Sequence, residues 1–75
     1  MEKRLSEIQP GESVRIVSLE DDEIVLKLME MGCLPGEVIS VEKKAPLGDP
    51  ISINVAGYHL SLRLDEASKI IVEGI

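Results

Sequence analysis

The residues whose types could hold a metal are Cys33, His59, Asp21, Asp22, Glu23, Glu30 and Asp49. A transition-metal site wants two or more Cys or His side chains converging with carboxylates. This sequence has one of each, far apart along the chain. The acidic run Glu20-Asp21-Asp22-Glu23 lacks the alternating carboxylates and central Gly of a calcium loop, and reads instead as a helix start. Cys33 would need a nearby base to act as a nucleophile, and no motif places His59 beside it. It reads as a small buried hydrophobe. Gly32, Gly36 and Gly48 precede no Lys-Ser/Thr pair, so they form no phosphate loop. The expectation is no catalytic residue, no metal site and no cofactor. Any nucleotide chemistry would belong to a partner.

Those residues sit in a chain of 75, of which 44% are apolar and one, Tyr58, is aromatic. A single domain of this size buries only about 60% of its unfolded surface, so Ile, Leu, Val and Met must fill the core efficiently. With one aromatic, the chain lacks the groove that binds Pro-rich peptides. Tyr58 reads as half-core with a bonded hydroxyl. The net charge is −6, and the adjacent basic pairs are Lys3-Arg4 and Lys43-Lys44, which argues against nucleic acid and anionic lipid. No apolar run approaches the roughly 20 residues of a membrane span. The charged start leads into no apolar segment of a signal peptide. The lone Cys fits a reducing compartment. These features point to a cytoplasmic protein with one domain over residues 1–75.

The elements follow from period and turn chemistry. Pro10-Gly11 and Pro35-Gly36 are two copies of the same turn. Strands are expected over Glu12–Leu19, Val38–Glu42, Ile51–Val55, Tyr58–Leu64 and Ile70–Val72. Ala56-Gly57 joins the third and fourth as a tight hairpin. A helix near Glu23–Met31 buries Ile24, Leu28 and Met31, with Asp21 or Asp22 as its cap and Gly32 as its stop. Asp65–Ser68 reads as one helical turn. The segment Lys43–Pro50 is a loop or sheet corner. Five short antiparallel strands and one helix predict a small, partly open barrel, closed by pairing the first strand with the last.

Three motifs then carry a resemblance. Met29-Glu30-Met31-Gly32-Cys33-Leu34-Pro35-Gly36, Ala45-Pro46-Leu47-Gly48-Asp49-Pro50-Ile51, and Leu60-Ser61-Leu62-Arg63 with Glu66-Ala67 and Ile70-Ile71-Val72 follow in the order and spacing of the FeoA family. The chain resembles that family from Leu5 to Val72, with Cys33 where an aliphatic residue is expected. The resemblance implies an SH3-like antiparallel barrel with an inserted helix. It also implies an accessory role in bacterial ferrous-iron uptake, beside the cytosolic GTPase part of a membrane iron transporter. The alternative is a metal-responsive regulatory domain acting with a DNA-binding chain, since a similar barrel ends iron-dependent repressors.

A transporter partner needs a contact surface. The candidates are Leu26 and Met29, which flank the helix's core stripe, and Leu47, Gly48 and Asp49 in the loop. Leu26 is either a docking anchor or a core residue covering the loop Ala45–Pro50. That loop is either a structural corner or a partner contact with Leu47 as an apolar anchor, and Arg63 either ties Asp49 or a neighbouring carboxylate in place or is an ordinary surface Arg.

Overall fold

The computed structural model describes residues 2–20 and 23–75. Six antiparallel strands form one sheet in the order β1-β6-β2-β3-β4-β5. They are β1 (Glu2–Arg4), β2 (Ser13–Leu19), β3 (Val38–Lys44), β4 (Ile51–Val55), β5 (Tyr58–Leu62) and β6 (Ile70–Gly74). Helix α1 (Val25–Glu30) lies between β2 and β3, and α2 (Leu64–Ala67) between β5 and β6. The first predicted strand does pair with the last, as β2 with β6. The edges β1 and β5 do not bond to each other, so the barrel stays open.

Local chemistry explains most of the path. Glu12 N–H bonds Gln9 C=O at 3.1 Å across Pro10-Gly11, and Glu37 N–H bonds Leu34 C=O at 3.0 Å across Pro35-Gly36. Gly11 and Gly36 have φ of 92° and 93°, which the third position of such a turn requires. Each glycine then bonds across the β2–β3 ladder, Gly11 N–H to Val41 C=O and Gly36 N–H to Ile16 C=O. One turn type therefore clamps both ends of that ladder. Helix α1 ends as its Gly32 predicts. Cys33 N–H returns to Leu28 C=O at 3.0 Å and Gly32 N–H to Met29 C=O at 3.0 Å. This bond pair satisfies two end carbonyls and places the buried Leu28 and Cys33 together in the core.

Several expectations need correction. The described residues form six strands, because Glu2–Arg4 adds to β6 in the register Lys3↔Val72. All three of its residues are exposed and show no hydrophobic alternation, so backbone pairing to β6, helped by Arg4 donating to Ser68 C=O and pairing with Glu20, makes this strand. Strand β3 runs on to Lys44 and β6 to Gly74, while β5 stops at Leu62 because Leu64 opens α2. Helix α1 is shorter than expected, and its predicted caps Asp21 and Asp22 lie outside the described residues. Tyr58 is exposed at 68% rather than half-core. Burial increases along β5, from exposed Tyr58 through partly buried Leu60 to buried Leu62, because the strand runs from the sheet's rim toward its core.

The β4–β5 hairpin turns through Ala56 and Gly57 at φ of 53° and 83°. Positive φ at both central residues is the pattern that favours Asn-Gly, and Ala carries a steric cost there. Ala56→Asn is expected to stabilise the domain by about 0.5–1 kcal/mol. In a thermal melt this appears as a rise of about 3–6 °C. An unchanged or lowered midpoint would show that the turn bears no such cost.

Candidate functional site

The core takes Leu28 from α1, with Ile24 and Met31 packed partly against it. An α-helical step of about 100° places Leu26 nearly opposite Leu28, pointing away from the sheet. Leu26 is exposed at 67%, so it does not cover the loop as a core residue. Met29 is half-buried beside it. Lys27 reaches across to Glu66 of α2 at 3.5 Å, a bridge that links the two helices on the surface.

The loop at 45–50 is a tight corner. Ala45 N–H bonds Pro50 C=O at 3.0 Å and Gly48 N–H bonds Ala45 C=O at 2.7 Å. Gly48 takes φ of 84°, and the Asp49–Pro50 peptide is cis. This turn leaves Leu47 at its tip, exposed at 96%. Arg63 does not hold Asp49 as anticipated. The Asp49 carboxylate instead accepts from Leu64 N–H at 3.0 Å, fastening the corner to the first turn of α2. The structural reading of this loop and its exposed apolar tip are thus compatible. Leu26 and Met29 stand together on α1, and Leu47, Gly48 and Asp49 on the corner.

The candidate ligands do not converge. Cys33 is fully buried, and burial pushes its thiol pKa up, away from the thiolate that binds metal or attacks substrates. His59 faces solvent on β5, with Nδ1 2.9 Å from Glu42 Oε1 on β3. No group of three or more His, Cys, Asp or Glu gathers among the described residues. Among them no helix is long and apolar enough to cross a membrane. We expect anaerobic calorimetry with ferrous iron to detect no stoichiometric micromolar site on the isolated chain. A one-to-one site lost in His59→Ala or Cys33→Ala would overturn this expectation.

The sequence and fold match known proteins closely. A family model described as the FeoA domain matches residues 3–74. The chain is 41% identical over 71 residues to an Fe(2+) transport protein A/Fe(2+) transporter FeoB fusion protein of Porphyromonas gingivalis. The match takes in 93% of this chain but only 8% of that relative's length. The NMR structure of a FeoA-like protein from Clostridium acetobutylicum superposes with a TM-score of 0.93 at 37% identity, covering 99% of this chain and 87% of the other. A zinc complex of Stenotrophomonas maltophilia FeoA, described as an SH3 domain protein, gives 0.84 at 29% identity, covering 95% and 89%. The SH3-like barrel expected from the sequence is therefore the observed architecture.

Proposed function

The chain belongs to the FeoA domain family, and on that premise we propose that it is a cytoplasmic, non-enzymatic accessory protein of bacterial ferrous-iron uptake. It docks on the cytosolic GTPase part of the membrane iron transporter and biases the transporter's cycle. The observation that carries this reading is the Porphyromonas gingivalis fusion, in which a homologous segment shares one polypeptide with the transporter. Covalent linkage raises the effective concentration of two partners and is useful where they act together. A docked domain shifts a conformational equilibrium only by binding one state more tightly than another. The chain's own part is thus surface recognition, through Leu26 and Met29 of α1 and the Leu47-Gly48-Asp49 corner.

The test is co-purification of the tagged chain with the full-length transporter in detergent, together with ferrous-iron uptake by cells lacking the chain. The expected result is a retained complex and a loss of uptake that the chain restores. Absence of a complex, with uptake unchanged by the deletion, would overturn the proposal.

A further inference from the structure

We propose that the transporter surface receiving α1 is apolar at its centre and basic along one side, so that Leu26 docks with Glu23 and Glu30 beside it. The inference rests on the docking reading above and names the chemistry of the partner. It starts from the outward face of the helix. Measured from Leu26, a step of about 100° per residue places Glu30 about 40° away and Glu23 about 60° away on the same side. Ile24, between Glu23 and the helix, already has helical backbone angles, so the step carries back to this turn. On the other side, Met29 lies about 60° away and Val25 about 100° away, and both are half-buried.

Both carboxylates are exposed, and neither forms an ion pair within the described residues. The nearby cation, Lys27, is turned toward Glu66 of α2. A partner that covers Leu26 must also cover this carboxylate flank. Closing over an ionised carboxylate without a partner charge strips its water and returns nothing. A surface that binds Leu26 well therefore supplies Lys or Arg on the Glu23–Glu30 side and apolar side chains toward Met29. The same flank repels an anionic lipid surface, which leaves a protein as the occupant.

The test measures binding of the chain to the full-length transporter in detergent at about 50 mM and about 300 mM salt, where exposed charge pairs are weakly and strongly screened. For the parent chain the affinity is expected to fall about five- to tenfold at the higher salt. The double variant Glu23→Gln/Glu30→Gln should bind about three- to tenfold more weakly at low salt and lose most of the salt dependence. Leu26→Ala should weaken binding by a similar factor at both salts. Circular dichroism confirms that each variant is folded. Parental affinity and salt dependence in the double variant would overturn the basic flank, and tighter binding would show a wholly apolar partner surface. In either case a weakened Leu26→Ala variant leaves the docking reading standing. If neither variant changes binding, α1 is not the contact and the inference falls, while docking through the Leu47 corner stands.

Discussion

Leu62→Asp is expected to abolish cooperative folding, while Leu60→Asp, two residues earlier on the same face of the same strand, leaves a folded protein with a lower melting temperature. Leu62 has no exposed surface and faces the equally buried Ile51 across the β4–β5 ladder. A carboxylate held there without a partner costs several kcal/mol. A domain of this length holds on the order of 5 kcal/mol in total, so one such group exhausts its stability. Leu60 faces buried Ile53 but is itself only partly buried, on a strand that forms the sheet's edge. A carboxylate at Leu60 can turn toward water, and the cost falls to about 1–3 kcal/mol. Circular-dichroism melts distinguish the two. A parental melt for Leu62→Asp would mean that the faces of β5 are reversed.

The contrast between Leu60 and Leu62 shows what the sequence can and cannot express. Alternation assigns both to the apolar side, and that is correct. It does not say where along a strand the core begins, because this depends on how neighbouring strands stack and where the sheet ends. Tyr58 fails for the same reason: its face is right, but it sits beyond the rim. The features that were legible are those with local causes. The two Pro-Gly turns, the Gly32 stop and the Ala56-Gly57 hairpin each follow from backbone restrictions within a few residues. Strand β1 left no signal because its three exposed residues form it through long-range contacts, the backbone pairing to β6 and the Arg4 side chain on Ser68 and Glu20. The tie between Asp49 and Leu64 N–H is a contact to the backbone at a sequence separation of 15, whereas charge alone points to Arg63. In the candidate surface, the outward direction of Leu26 was within reach of helical geometry, but its exposure required the rest of the fold.

Leu26→Gln is expected to leave the melting temperature within a few degrees of the parent while abolishing co-purification with the transporter and ferrous-iron uptake. Leu26 is exposed at 67%, so replacing it with a polar side chain of similar length removes little from the core. The same replacement at Leu28, which is fully buried one turn-face away, should instead unfold the chain, since the amide would lose its water without gaining a partner. The pair therefore separates loss of binding from loss of structure on a single short helix. An exposed Leu that fills a pocket on a partner sits at the centre of its contact, where truncation commonly costs 2 kcal/mol or more, roughly a thirtyfold loss of affinity. Under the docking proposal, the half-buried Met29 beside it is suited to a partner surface that changes shape, because its unbranched side chain repacks easily. Leu47→Ser is the parallel test of the corner, since Leu47 is almost wholly exposed and its loop is held by backbone bonds that the substitution leaves intact. If Leu26→Gln binds and supports uptake while Leu47→Ser does neither, the contact lies on the corner fastened by Asp49 and not on α1. If both variants bind and support uptake as the parent does, neither apolar anchor carries the interaction, and docking through these two elements is refuted.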